Sequence, residues 1–289
     1  MKKHAYLIMA HNNPEQLKML VDLLDDERND IFVMIDKKSP IAPFRCITTK
    51  QAGFQLVKRR INIYWGHHSQ IQAEFTLLKT AMKFGHYSYM HLLSGSDLPL
   101  VSQNAIHEFF EQHIGSEFVD FQTETSDFQD VADKSEYPFY FGKYLYQDNW
   151  FSNVIGKRLF DHCRRWERRF GWKHKHTIKL IKGSQWFSIT SDFAQWLILN
   201  EQFAMKQLKW TWCSDELLIP SLLSISPYKN NIHPSGNMRA IDWHRGHPYV
   251  WTEKDYDELI NSHKLFARKF SISESPGIMQ MLYEHIVNG

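Results

Sequence analysis

The feature that most limits the fold of this chain is the regular alternation of short apolar runs with amphipathic segments in its first hundred residues. Residues 4–10 form an apolar run that predicts a buried strand. Asn13 and Pro14 then supply a helix N-cap and a proline at the first helical position, followed by leucines at helical spacing. A second apolar run, residues 31–35, ends at Asp36 before a turn cluster. This strand–helix–strand order predicts an α/β fold with a parallel sheet.

The same exchange continues to about residue 100. Val57 and residues 61–64 predict another strand, residues 69–84 a helix, and residues 87–93 a strand that runs into the loop at 94–97. Ligands of open α/β sheets bind beyond the carboxyl ends of the strands. The loops that follow these strands are therefore the first places to look for a site.

Composition describes an ordinary globular protein. The chain has 289 residues, of which 43% are hydrophobic and 23% charged, and it carries a formal charge of +2. So small a net charge creates no general attraction for polyanions, and nucleic acid is not favoured as a partner. The length allows one α/β domain or two. In the second half, residues 183–190 predict a strand and residues 191–203 a helix.

Cysteine content and apolar runs bear on the cellular compartment. Cys46, Cys163 and Cys213 fit neither a disulfide framework nor a paired zinc or redox motif, which favours a reducing compartment. The apolar residues before His11 are too few for a signal peptide. No run approaches the ~18 apolar residues that would span a bilayer.

Two neighbouring blocks have opposite charge. Residues 117–136 are acidic, whereas residues 157–182 hold ten lysines and arginines, with Trp166, Phe170 and Trp172 among them. The basic block is either a solvated helix face that pairs with the acidic one, or a surface for anionic lipid or a phosphate-bearing acceptor.

Common nucleotide and metal motifs do not occur. The sequence has no GxGxxG and no GxxxxGK[ST], which argues against dehydrogenases and kinases. The one Asp-x-Asp, at residues 255–257, reads as the first turn of a helix after Thr252 rather than as a metal site after a central strand. We therefore expect no metal, and a bound diphosphate would need cationic side chains instead.

Charged candidates for such a site lie in the last third of the chain. The cations are Arg239, Arg245, Lys264, Arg268 and Lys269. The carboxylate candidate is Glu216, although Ser214, Asp215 and Glu216 also suit an ordinary helix start. The residues by themselves do not decide between these readings.

These segments, in this order, resemble the core-2/I-branching β-1,6-N-acetylglucosaminyltransferase and peptide O-xylosyltransferase family, glycosyltransferase family 14. The resemblance runs from Ala5 to Phe270. Its markers are Ala10-His11-Asn12, Ile35-Asp36, Tyr64-Trp65-Gly66, Leu92-Leu93-Ser94-Gly95-Ser96-Asp97-Leu98-Pro99, Gly183-Ser184-Gln185-Trp186-Phe187, Asp215-Glu216, Ile241-Asp242-Trp243 and Leu265-Phe266-Ala267-Arg268-Lys269-Phe270.

The resemblance implies a GT-A, Rossmann-like fold with a mostly parallel sheet, in one catalytic domain over 1–289. Residues 1–100 would be the nucleotide-binding half and residues 101–289 the acceptor-binding and catalytic half. It also implies a UDP-sugar donor, inversion at the anomeric carbon, and no metal or other cofactor.

The resemblance further assigns roles to single residues. Glu216 matches the family's catalytic base, and Lys269 matches the lysine on the diphosphate. The family's diphosphate arginine falls at Gly246, so its neighbour Arg245 is assigned, with Arg239 in reserve.

The remaining assignments concern the nucleotide and the acceptor. His11 and Asp36 match the uridine site. Ser96, Asp97, Gln185 and Trp186 would line the cleft, the first two on the nucleotide side and the last two on the acceptor side. Trp243 would stack against the acceptor sugar.

The family's animal members have a membrane anchor, a stem and paired cysteines, whereas this sequence begins at the first predicted strand and has three cysteines. We therefore expect a cytoplasmic, bacterial member that transfers a sugar, best assigned as N-acetylglucosamine, to an oligosaccharide or lipid-linked glycan in surface polysaccharide synthesis. The basic block would touch anionic lipid at the inner membrane face. The alternatives are another UDP-sugar such as xylose, glucose or galactose, a binding protein that has lost catalysis, and a retaining or metal-dependent transferase in which residues 255–257 would hold Mn²⁺.

Overall fold

The computed structural model describes residues 3–122, 125–139, 157–246 and 248–288. The strands are β1 (Lys3–Ala10), β2 (Asn29–Ile35), β3 (Gly53–Leu56), β4 (Tyr87–Ser94), β5 (Asp97–Pro99), β6 (Ser188–Thr190), β7 (Arg239–Ile241) and β8 (Phe266–Arg268). The helices are α1 (Pro14–Leu23), α2 (Ser69–Phe84), α3 (Gln103–Gln112), α4 (Thr125–Ser135), α5 (Lys157–Phe170), α6 (Ser191–Leu199), α7 (Glu201–Leu208), α8 (Ser214–Ile225), α9 (Tyr256–Ile260) and α10 (Pro276–Asn288).

The predicted α/β class is confirmed. Five strands form a central sheet in the order β3-β2-β1-β4-β6, and all neighbours are parallel except β4 and β6. From Ala5 to Ala10 the middle strand β1 is apolar, because both of its faces are covered. Tyr6 and Ile8 pack into a core with α1 and α10, while Ala5 and Leu7 pack into a second core with α2 and α8.

A smaller sheet joins the second half of the chain to the first. In it β8 lies between β5, to which it is antiparallel, and β7, to which it is parallel. The Gln16 side chain of α1 donates to the carbonyl of Phe270 at 2.9 Å and accepts from the amide of Ile272 at 3.0 Å. The chain that leaves β8 is therefore fastened to the first helix.

The strand predicted near Val57 and at 61–64 is wrong in position. The strand is β3, which pairs with Asp30–Val33 of β2, and residues 61–64 instead cross the carboxyl end of β2. Their backbone is bonded to that loop: the carbonyl of Ile61 accepts from the amide of Lys37, and the carbonyl of Ile63 from the Lys38 ammonium. These hydrogen bonds take the place of the backbone pairing with a neighbouring strand.

Two other predicted elements are shorter than expected. Of the predicted strand 183–190 only Ser188–Thr190 forms a strand, and the predicted helix 191–203 is divided at Asn200 into α6 and α7. Helix α8 begins at Ser214, and the N-cap is Cys213 rather than Ser214.

The described part of the chain contains three free cysteines, Cys46, Cys163 and Cys213. It also contains no helix of the length and apolar character that a bilayer crossing requires.

Three buried histidines, on β1, β4 and α3, lie together on one face of the central sheet. The rings of His4 and His107 stack at 4.0 Å, and His4 Nδ1 is 3.1 Å from His91 Nε2. Burial lowers the pKa of all three, that of His107 to about 4, and the charges of Arg28 and Arg239 add to the effect. The folded protein therefore holds these rings neutral at pH values where an unfolded chain would protonate them.

We expect acid to destabilise the protein through this cluster. As the pH falls below about 6.5, these histidines bind protons in the unfolded state but not in the folded state. Each histidine therefore lowers the free energy of unfolding by up to about 1.4 kcal/mol per pH unit. His107→Gln should be less stable than wild type near neutral pH, and the gap should narrow toward about pH 4.5. Urea unfolding at several pH values measures it, with His86→Gln as an exposed control. A constant gap would contradict the expectation.

Candidate active site

Glu216 lies in the first turn of helix α8, where acidic residues interact favourably with the helix dipole. The helix starts from Cys213, which adopts a left-handed conformation with φ 49°. The Glu216 side chain is 28% exposed. A carboxylate in this position can reach both solvent and the groups behind it.

Behind Glu216 lies a lysine that the sequence analysis did not single out. Lys134 of α4 places Nζ 2.6 Å from Glu216 Oε2 and 2.9 Å from Asp130 Oδ2. Burial opposes the charged ammonium, but the two carboxylates outweigh it and raise the pKa of Lys134. The sequence signal was a lone lysine within the acidic block 117–136.

Asp215, the neighbour of Glu216, has a different environment. It is buried and accepts a hydrogen bond from Gln70 Nε2 at 3.1 Å. Burial, followed by the charge of Glu216, raises the pKa of Asp215 to about 7. Gln185 belongs to the same network: its Nε2 donates to Glu74 at 2.9 Å and its Oε1 accepts from Gln70 at 3.4 Å. The two adjacent carboxylates are thus distinct, one enclosed and one facing outward.

Gly66 sets the start of the Glu216 helix. Its carbonyl accepts from the amide of Cys213 at 2.9 Å, and its φ of +66° is in the left-handed region that favours glycine. A Cβ on Gly66 would lie 2.5 Å from Nε1 of Trp212. The loop before α2 and the residues before α8 therefore touch with no room for a side chain.

We expect Gly66→Ala to displace the Glu216 helix. The clash and the strained backbone should cost about 1–3 kcal/mol of stability, and a misplaced side chain can cost up to about 10² in rate. Glycosyl transfer and thermal unfolding measure the two effects. Gly115→Ala is the matched control, since Gly115 also has a positive φ, +86°, but has nothing within 4 Å of its Cβ position. Equal effects of the two substitutions would mean that the contact with Trp212 is unimportant.

A second charged group gathers at the carboxyl ends of β1 and β2. Asp36 accepts from the backbone amide of Lys38 at 2.9 Å, and its other oxygen is 3.5 Å from the Lys38 ammonium. Desolvation lowers the pKa of His11, Asp36 opposes the shift, and Lys269 and Lys38 add to it. The backbone links Lys269 to the same region: the amide of Gly95 donates to the carbonyl of Met9 at the end of β1 at 2.9 Å, and the amide of Phe270 donates to the carbonyl of Ser96 at 2.9 Å. The sequence-predicted residues His11, Asp36 and Lys269 therefore lie at the same edge of the sheet.

Lys269 is held in place by the residues on either side of it. Arg268 pairs with Asp97 at 3.2 Å, and the amide of Phe270 donates to the carbonyl of Ser96 at 2.9 Å. Asp97 is buried and also accepts from Ser94. The predicted residues Ser96 and Asp97 thus anchor the Lys269 backbone.

The segment 183–187 connects the two charged groups. The ring of Trp186 lies 4.2 Å beneath the guanidinium carbon of Arg268, the neighbour of Lys269. Gln185 reaches Asp215, the neighbour of Glu216, through the Gln70 side chain. Asp215, next to Glu216, and Arg268, next to Lys269, therefore both connect to the same short stretch of chain. Gln185 and Trp186, predicted to line the cleft, are both buried.

The two arginines predicted for the diphosphate are engaged with the protein. Arg239 is buried and donates to Ser188 Oγ at 2.9 Å and to the carbonyls of Asn237, Phe187 and Leu92. Arg245 pairs with Asp255 at 2.8 Å, with Glu258 at 2.9 Å, and with Asp242. Both guanidinium groups are therefore occupied by protein partners.

The remaining predicted features lie in the loop after β7 and in the segment that follows it. Trp243 is 54% exposed there. Asp255 forms a capping box with Thr252, which confirms that the Asp-x-Asp begins a helix. Among the described residues no group of three or more histidine, cysteine or acidic side chains has the spacing of a metal site.

The basic block carries an exposed aromatic face. Trp166, Phe170 and Trp172 are 49%, 50% and 65% exposed, and their rings stack at successive spacings of 5.3 Å. The predicted pairing with the acidic block occurs through Lys173, 2.7 Å from Glu136, and through Lys182, 2.6 Å from Asp130. These pairs involve the end of the block, and Arg165, Arg168 and Arg169 on α5 stay exposed.

Comparison with known proteins gives a family. The Core-2/I-Branching enzyme family model matches residues 4–263. No curated protein matches the chain. Among solved structures, the chain is similar to apo mouse xyloside xylosyltransferase 1, with 10% identity, a TM-score of 0.41, and coverage of 92% of this chain and 97% of the other.

Proposed function

The chain belongs to the Core-2/I-Branching enzyme family and is a glycosyltransferase; we propose that it is an inverting, metal-independent enzyme that uses a UDP-sugar. The best assignment of the transferred sugar is N-acetylglucosamine, and of the acceptor a hydroxyl of an oligosaccharide or lipid-linked glycan of a bacterial surface polysaccharide. The observation that supports this proposal is that the segment 183–187 connects to the chain neighbours of both residues, to Asp215 beside Glu216 and to Arg268 beside Lys269.

In the proposed reaction Glu216 is the general base. The acceptor hydroxyl attacks the anomeric carbon from the side opposite the diphosphate, and its proton passes to the Glu216 carboxylate. The new glycosidic bond forms as the bond between the sugar and the diphosphate breaks, and the electron pair leaves with UDP. One base and one stabiliser of the leaving group suffice.

Lys269 is the proposed stabiliser of the diphosphate. Open α/β sheets bind the phosphates of a nucleotide beyond the carboxyl ends of their strands. The Lys269 ammonium is near the carboxyl ends of β1 and β2. His11 and Asp36 would hold the uridine beside it. A second cation for the diphosphate was predicted at Arg245, with Arg239 in reserve. Both side chains are engaged with protein groups, and this assignment stays a prediction.

Nucleotide binding without metal tests the donor assignment. Calorimetry with UDP, GDP and CMP in EDTA should show binding of UDP alone. A UDP-sugar series in the same buffer would then identify the transferred sugar. Binding that needs Mn²⁺ would reject metal independence, and failure of every uridine nucleotide would reject the donor class.

The alternative of a carbohydrate- or nucleotide-binding protein without activity predicts UDP binding with no turnover. Retention of both Glu216 and Lys269 favours the enzyme, since a chain that no longer needed catalysis would be free to lose either. Hydrolysis or transfer of the UDP-sugar in the presence of a glycan acceptor separates the two.

We further propose that α5 contacts anionic membrane lipid, so that the enzyme works at the inner face of the membrane. Exposed tryptophans suit the lipid headgroup region, and the adjacent arginines suit its negative charge. Vesicles of phosphatidylcholine with phosphatidylglycerol should bind the protein, and pure phosphatidylcholine should bind it less.

Variants locate the membrane contact. Trp166→Ala with Arg165→Glu and Arg169→Glu should release the protein from the anionic vesicles. Lys83→Glu with Lys229→Glu changes the net charge equally at exposed positions elsewhere and should leave binding intact. Equal loss in both would mean that only the overall charge matters.

A further inference from the structure

Four charges alternate in a row behind the proposed base. Lys182 Nζ is 2.6 Å from Asp130 Oδ2, Asp130 is 2.9 Å from Lys134 Nζ, and Lys134 Nζ is 2.6 Å from Glu216 Oε2. These four residues form the charge row. Glu216 stands at the end of the row that faces outward.

Lys134 is the buried member of the row. Its side chain is 9% exposed, against 28% for Glu216. Taking an ammonium out of water costs several kcal/mol unless carboxylates compensate it, so a lysine in this position must be paired to stay charged. Asp130 and Glu216 provide that compensation, and together they raise the pKa of Lys134.

The contact leaves the two oxygens of Glu216 unequal. Oε2 accepts from the Lys134 ammonium at 2.6 Å, a charge-assisted hydrogen bond that fixes the carboxylate in one orientation. Because Oε2 is engaged with Lys134, Oε1 is the oxygen left to accept the proton of the acceptor hydroxyl. A base held this way presents one oxygen in a fixed direction.

We propose that Lys134 is the positioning residue of the general base: it orients the Glu216 carboxylate for the arriving acceptor hydroxyl. This inference rests on the proposed function. Lys134 keeps its own proton throughout, and the proton of the acceptor hydroxyl goes to Glu216.

Lys134→Met tests the proposal. We expect kcat to fall about 10- to 100-fold, with the Kd of UDP within about two-fold of wild type.

Two further variants separate positioning from structure. Lys134→Arg keeps the positive charge and should recover most of the rate. Lys79→Met removes a lysine of comparable kind, paired with Glu201 at 2.8 Å at the start of α7, and should leave kcat unchanged. If Lys134→Met lost rate only in proportion to its lower melting temperature, and Lys134→Arg recovered none of the rate, the contact would be merely structural and the proposal overturned.

The test distinguishes failure of this inference from failure of the proposed function. Wild-type activity of Glu216→Gln would remove the base and with it both proposals. An inactive Glu216→Gln beside a fully active Lys134→Met would overturn the positioning role alone. In the Glu216→Gln background, Lys134→Met should have no further effect on rate, because the two act as a unit.

Discussion

Glu216→Gln should lower kcat by about 10²–10⁴, the range for a removed general base, and leave the Kd of UDP nearly unchanged. Glutamine keeps the shape of the side chain and its place in the first turn of α8, but it does not accept the acceptor's proton. It also replaces the ionic contact with Lys134 by a weaker one. Single-turnover transfer and calorimetry measure the rate and the affinity.

Glu201→Gln is the matched control for this substitution. Glu201 also lies in the first turn of a helix and pairs with a lysine, Lys79, at 2.8 Å. It should retain wild-type kcat. A Glu216→Gln enzyme with near wild-type turnover would transfer the role of base to another carboxylate, and the buried Asp215 would then be the first to examine.

The second large effect concerns the nucleotide. Lys269→Met should weaken UDP binding about 10- to 100-fold, which corresponds to the loss of a charge-assisted hydrogen bond of about 1.5–3 kcal/mol. The rate should fall as well, because negative charge on the diphosphate grows as the sugar leaves. Higher salt should narrow the difference from wild type, since ions screen the missing attraction.

Lys264→Met provides the comparison for Lys269→Met. Lys264 stands five residues earlier, and its ammonium lies 3.4 Å from the carbonyl of Ser235. Its loss should leave the Kd of UDP unchanged. Were both variants to bind UDP as wild type does, the diphosphate would have to be bound elsewhere, and Arg245 would be tested next.

The first strands and helices were predictable because their signals are local. The strand β1, the proline at the start of α1, and helix α2 all follow from residues next to one another in sequence. The region around Val57 was misplaced for the opposite reason. Residues 61–64 have the composition of a strand, but the loop after β2 takes their hydrogen bonds.

The site was predictable in part. The sequence together with the family resemblance led to Glu216 and Lys269, and the structure places each in a charged group. Lys134 was missed because its partner Glu216 is 82 residues away. The bond between Gln70 and Asp215 spans 145 residues. Contacts over such distances leave no periodic trace in a single sequence.

The buried arginine Arg239 shows the limit of a sequence motif. Its charge and its position before Trp243 suggested phosphate binding, whereas its burial and its bonds to main-chain carbonyls became visible only in three dimensions. Burial lowers its pKa to about 10. Its role at the diphosphate stays a prediction.

Two contacts between the halves of the chain limit where it can be divided experimentally. They are the pairing of β5 with β8 and the hydrogen bonds of the Gln16 side chain with the backbone at Phe270 and Ile272. A fragment that ended near residue 100 would keep β5 but lose its partner, and it would also lose β6 from the edge of the central sheet. Each piece would then carry an unpaired strand edge, a common route to aggregation. Split-reporter or domain-swap designs should therefore cut in surface loops and keep both pieces in the same cell, so that the interlocked strands can assemble together.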